Sequence, residues 1–184
     1  YLTGEGVTKD AGEAVKWFRK AADQGLAEAQ FNVGGFYRTG EGVAKDAVEA
    51  VKWFRKAAGQ GHAEAQFNLG AHYANGIGVI KDAAEALNWY RKAADQGVAM
   101  AQTYLGFFYA NGDGVPKDHV QAYKWFNLAS AQGDETAKKG LSSVERLMTK
   151  QQIIEAQRLS REFKPRESLE PGASDSREAT NHMR

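Results

Sequence analysis

The sequence predicts an all-α fold, a solenoid of stacked antiparallel helix pairs with a 36-residue period, and three observations predict it. Trp17, Trp53, Trp89 and Trp125 recur every 36 residues. Gly25, Gly61, Gly97 and Gly133 keep the same period, as do Lys9-Asp10, Lys45-Asp46, Lys81-Asp82 and Lys117-Asp118. Between these marks, apolar residues fall at helical spacing, with an acid before each run and a glycine after it. A helix pair of this size cannot bury its apolar face alone, so neighbouring pairs must stack.

The second helix of each unit is clearest from Asp46 to Gly61. Asp46 and Glu49 have the spacing of a capping box, repeated by Asp10/Glu13, Asp82/Glu85 and Asp118/Gln121. Ala50, Trp53, Phe54, Ala57 and Ala58 then form one apolar stripe, while Lys52, Arg55 and Lys56 point elsewhere. Gly61 stands where a left-handed C-terminal cap is expected.

The first helix runs from His62 to Gly76, with Ala65, Leu69 and Tyr73 four apart. A mid-helix glycine costs about 1 kcal/mol relative to alanine. Gly34, Gly70 and Gly106 accept that cost at one register, which predicts a close approach with no room for a side chain. Ala74 to Val79 turns the chain back, with Val79 as a plug under the loop.

Three complete pairs fit, at about 27–59, 63–95 and 99–131, within a repeat region of residues 1–133. Tyr1 to Gly4 match Tyr37 to Gly40, so the chain opens inside a unit, and upstream repeats are expected. Past Gly133, Ala137 and Leu141 keep the first-helix register, but Ser142 replaces the glycine and Glu145 the tyrosine. A further helix follows from about Lys150 to Phe163, with Thr149 and Gln152 at capping-box spacing. Residues 134–163 read as capping helices, and 164–184, with two prolines and mixed charge, as a disordered tail.

Composition narrows the function. The 184 residues carry a net charge of +1, which provides no electrostatic footprint for nucleic acid. No run approaches the ~18 apolar residues that cross a bilayer. With no cysteine there is no disulfide or thiol nucleophile, and the compartment stays open.

From Ala63 to Gly97 the chain reads A-E-A-Q-x-x-L-G-x-x-Y, then G-x-G-V-x-K-D-x-x-E-A, then W-x-x-K-A-A-x-Q-G once conservative variants are allowed. This unit resembles the Sel1-like repeat, a relative of the tetratricopeptide repeat, over roughly residues 1–133. The closing helix also looks like the end of bacterial proteins built from these repeats. The resemblance implies a right-handed solenoid acting as a protein-interaction scaffold in signalling, protein quality control or host–microbe contact. It also brings two alternatives: a hydrolytic or enzyme-associated role on peptidoglycan-related substrates, and a purely structural spacer or oligomerisation module.

A residue repeated in every unit serves the stack, so function is expected where units differ. The tryptophans, with Phe18, Phe54, Tyr90 and Phe126 beside them, read as core on the alanine-rich stripe. Gly4-Glu5-Gly6, Gly40-Glu41-Gly42, Gly76-Ile77-Gly78 and Gly112-Asp113-Gly114 lack the strand and third glycine of a dinucleotide loop and read as turns. His62, His72, His119 and His182 are scattered, so no metal site is expected. No catalytic constellation and no cofactor site are expected, and Lys16, Arg19 and Lys20 with their repeats read as a solvated face.

The tetratricopeptide likeness implies that the first helices line a concave groove. Laying Leu69, Gly70 and Tyr73 on that motif sends Glu64, Phe67, Asn68, Ala71 and Ala74 into it. One unit earlier come Glu28, Phe31, Asn32, Gly35 and Arg38, and one unit later Met100, Thr103, Tyr104, Phe107 and Ala110. The expected partner is a protein or peptide, with the aromatics as anchors and Asn32, Asn68 and Arg38 as orienting groups. Self-association through the first end is a second expectation, because Ala14, Trp17 and Ala21 lack a unit to cover them.

Overall fold

The computed structural model describes residues 10–166, and among them are nine helices and no strand. They are α1 (Ala11–Asp23), α2 (Ala27–Thr39), α3 (Ala47–Gly59), α4 (Ala63–Asn75), α5 (Ala83–Asp95), α6 (Ala99–Asn111), α7 (His119–Ala131), α8 (Glu135–Glu145) and α9 (Lys150–Glu162). Antiparallel pairs α2/α3, α4/α5 and α6/α7 stack into a solenoid, with α1 before them and α8 and α9 after. Tyr1–Gly4, expected to match Tyr37–Gly40, lie outside the described residues.

The second helices begin as their capping acids require. Asp46 accepts from the amides of Val48 and Glu49 at 2.9 and 3.0 Å, and Asp10, Asp82 and Asp118 accept from the third residue of their helices. The reciprocal half of the expected box is not what forms there. The Asp46 amide already donates to the Tyr37 carbonyl, Asp82 to Tyr73 and Asp118 to Tyr109, each at 2.9 or 3.0 Å. Glu13 and Glu49 turn instead to Lys16 and Lys52. The complete box forms at α9, between Thr149 and Gln152.

The mid-helix glycines meet a side chain rather than a backbone. A methyl on Gly34, Gly70 or Gly106 would lie 2.7, 2.8 or 2.6 Å from the ring of Phe54, Tyr90 or Phe126. Each ring is the residue after the tryptophan of the partner helix, and each is essentially fully buried. At the last unit the ring of Phe126 meets a second glycine, since a methyl on Gly140 would sit 2.7 Å away. Ser142, in the expected register, bonds its own helix at the Lys138 carbonyl.

The tryptophans divide, which corrects their reading as a uniform core set. Trp53 and Trp125 are buried and Trp89 is half-buried, whereas Trp17 is 54% exposed. The reason is that each packs between the first helix of its own pair and the helix before that: Trp53 joins Ala22 of α1 with Ala29 and Val33 of α2, and Trp89 joins Ala57 of α3 with Ala65 and Leu69 of α4. Of the other two residues expected to lie bare at this end, Ala14 is buried and Ala21 is half-buried.

Glutamines join the units. Gln66 in α4 donates to the Ala58 carbonyl at the end of α3, at 3.1 Å, and accepts from Gln96 beyond α5 at 2.7 Å. Gln30 with Gln60, and Gln102 with Gln132, repeat the arrangement. After α9 the chain folds back. Phe163 sets its ring edge on Trp125 at 5.5 Å, Pro165 covers Gly97, and the Arg166 amide donates to the Asp95 carbonyl at 2.7 Å. The remainder of the expected tail, from 167, lies outside the described residues.

Candidate protein-binding face

The site residues expected from the sequence all lie on α2, α4 and α6. Burial repeats beneath them, with Ala29, Ala65 and Ala101, Gln30, Gln66 and Gln102, and Val33, Leu69 and Leu105 all buried. The register over them repeats only in part. Exposed Glu28 and half-buried Asn32 on α2 are matched by Glu64 and Asn68 on α4, and α6 replaces them with exposed Met100 and Tyr104.

His62 organises the α2–α4 boundary, a role that its isolation in the sequence concealed. It caps α4, its Nδ1 accepting from the Ala65 amide at 3.3 Å. That leaves Nε2–H to donate to Glu28 at 2.9 Å, while the ring stacks on Phe31 with centroids 4.6 Å apart. Asn32 donates to the same carboxylate at 3.0 Å and to the Glu28 carbonyl at 2.8 Å. The bond from His62, reinforced by Asn32, holds the Glu28 carboxyl below the usual carboxylate range despite some desolvation. Glu64 lies 3.5 Å from the other ring nitrogen, and Asn68 donates to the Glu64 carbonyl.

At α6 the chemistry changes. Tyr104 stacks on Tyr90 with centroids 5.2 Å apart and planes 13° from parallel, and Phe67 leans on both at 5.7 and 5.9 Å. Burial pushes the Tyr90 hydroxyl pKa far up, so it stays protonated. Tyr104 remains 42% exposed and Met100, one turn away, 53%. Thr103 is buried and donates to Asp134 at the start of α8. Phe107 sets its edge on Phe126 at 4.9 Å.

The expected anchors therefore divide by use. Phe31, Phe67 and Phe107 are half-buried in contacts between helices, and the Asn32 and Asn68 amides are tied to their own helices. Glu28, Glu64, Arg38, Met100 and Tyr104 stand exposed, and Gly35 opens onto space. Among the described residues no cluster of three or more histidine, aspartate or glutamate groups could hold a metal, and no helix is long and apolar enough to cross a membrane.

The Sel1 repeat pattern matches residues 1–26, 27–62, 63–98 and 99–134. The chain belongs to the Sel1 repeat family. A crystal structure of a Sel1 repeat protein from Oxalobacter formigenes is similar to it, with 39% identity and a TM-score of 0.76, over 89% of this chain and 70% of that one. A second is that of c5321, a protective antigen present in uropathogenic Escherichia coli strains displaying an SLR fold. It has 34% identity and a TM-score of 0.63, over 88% of this chain and 43% of that one. The chain thus spans under half the length of that antigen. Both neighbours are bacterial, and no curated protein matches. Sel1 repeats commonly serve as protein-interaction scaffolds, and proteins built from them are generally non-enzymatic.

Proposed function

We propose that this Sel1 repeat chain is a non-enzymatic scaffold that captures a protein or peptide segment on a concave face lined by α2, α4 and α6. The observation that supports it is the contrast within those helices: buried positions keep their character through all three, whereas the positions over them, Glu and Asn on α2 and α4, change to Met100 and Tyr104 on α6. A repeated residue serves stacking, while a varied exposed one on a rigid element is free to serve recognition. The face is ordered by its own packing through His62, Asn32 and Tyr90, so little entropy is lost when a partner arrives.

The test is affinity capture from the native host, comparing the unaltered chain with Met100→Ala plus Tyr104→Ala. Both side chains are substantially exposed, so circular dichroism and melting should change little. The proposal expects a defined set of proteins with the first bait and loss of that set with the second. Recovery unaffected by the substitutions, or no specific recovery at all, overturns it.

A further inference from the structure

The face has a chemical order that names the kind of segment it would hold. Position for position, one unit apart, stand Glu28, Glu64 and Met100, and one turn along each helix stand Asn32, Asn68 and Tyr104. The carboxylates are 74% and 63% exposed. They also differ from the other paired acids. Glu13, Glu49 and Glu135 each face a lysine of their own helix, and Glu155 and Glu162 grip Arg158. Glu28 and Glu64 instead lie 2.9 and 3.5 Å from one histidine, His62, so two carboxylates face a single imidazole. This boundary therefore keeps net negative charge toward solvent, next to the apolar surface of Met100 and Tyr104. The formal cations on the first helices, Arg38, Lys138 and Lys139, lie elsewhere, near the far end of α2 and on α8.

Spacing follows from the solenoid. Successive first helices touch, as the Phe67–Tyr104 contact shows, so their axes are about 10 Å apart. An extended peptide advances about 3.3 Å per residue, so three residues cover one unit. We propose that this face takes an extended peptide bearing two basic side chains and one large apolar side chain, each three residues from the next, set against Glu28, Glu64 and the Met100–Tyr104 surface in that order. Rows of like charge exclude acidic segments, while the stacked Tyr104 ring accepts an aromatic or branched aliphatic group. The assignment rests on the reading of this face as the binding surface.

Fluorescence anisotropy of the full chain with labelled seven-residue probes tests it. The first probe has lysine at positions one and four and phenylalanine at seven, with glycine and serine between. The second replaces both lysines by glutamate, and the third exchanges the phenylalanine with the middle lysine. The first should bind about tenfold or more tighter than either of the others. Glu28→Lys plus Glu64→Lys should reverse the preference between the first two, and Tyr104→Ala should weaken the first. Equal binding of the first two probes, or a preference that survives the charge reversal, overturns the assignment. Tighter binding of the glutamate probe, abolished by Tyr104→Ala, overturns the charge order while leaving the face as the binding surface. Binding of none of the probes also overturns the proposed segment, and the capture experiment then decides the scaffold reading separately.

Discussion

Gln96 donates to Gln66 at 2.7 Å, thirty residues back, and Gln66 passes a bond on to the Ala58 carbonyl at 3.1 Å. Two glutamines thus tie the end of α5 to α4 and the end of α3, and the same relay recurs through Gln30 and Gln102. Stacked helix pairs have their weakest points at the boundaries between units. A buried amide that spans a boundary adds direction to contacts that alanine packing alone leaves smooth.

Gln66→Ala should cost about 1–3 kcal/mol, because it strands the Gln96 amide and the Ala58 carbonyl together. Gln96→Ala removes only the outer donor and should cost about 1 kcal/mol. The two should be non-additive in a double-mutant cycle read by urea unfolding. Simple addition of the two losses would show that the relay is incidental.

Gly70 and Gly35 predict opposite signs for the same substitution. Alanine is worth about 1 kcal/mol over glycine within a helix. At Gly35 a methyl meets nothing within 4 Å, so Gly35→Ala should raise the melting temperature. At Gly70 it would lie 2.8 Å from the Tyr90 ring, and overpacking costs about 1–3 kcal/mol, so Gly70→Ala should lower it. Thermal melts of the two variants side by side decide the point, and stabilisation by both would refute the ring contact.

Legibility followed the kind of signal. The Trp17–Trp125 period, the capping acids and the glycine register are short-range or strictly periodic, and the helices stand where those marks place them. Pairings thirty or more residues apart, such as Gln60 with Gln30 or His62 with Glu28, have no local signature. His62 was the hardest to read, since Leu26, Val98 and Asp134 hold its place in the other units. The split among the tryptophans was hidden for a related reason: each one's burial depends on the two helices before its own, not on its own helix. Of the proposed face, register put the residues on the first helices, but only packing shows that Phe31, Phe67 and Phe107 are half-buried between helices while Met100 and Tyr104 keep large exposed areas.

His72 should make stability fall in mild acid. Its ring is buried beside Phe54 and bonds the Ile77 carbonyl through Nδ1 at 2.6 Å. Burial is the main cause holding its pKa below the ordinary 6.5; the Ile77 bond opposes this and the charge of Arg38 adds to it. As pH drops through 6.5 the unfolded chain gains a proton that the folded chain resists, so stability is present above that value and lost below it. Melting temperatures measured from pH 7.5 down to 5.5 should decline, and His72→Gln should flatten the decline. Glu28 is also depressed, but its contribution is lost only as pH falls below its ordinary 4.5, outside this window.

Phe163 closes the far end. Helix α9 lies against α7, with Ala156 and Ser160 buried and Gln157 donating to the Tyr123 hydroxyl at 3.3 Å. Trp125 is 3% exposed, and the Phe163 ring edge rests on it with Lys124 held over both rings. Because repeat arrays are stabilised by nearest-neighbour contacts, loss of this edge should act locally. Phe163→Ala should open Trp125 to water, shifting its emission to the red, and should speed amide exchange in α9 and the end of α7. Exchange in α2 and α3, three units away, should stay unchanged. A uniform rise in exchange along the chain would mean that the array unfolds as one block and that the closing helix stabilises all of it rather than its last unit.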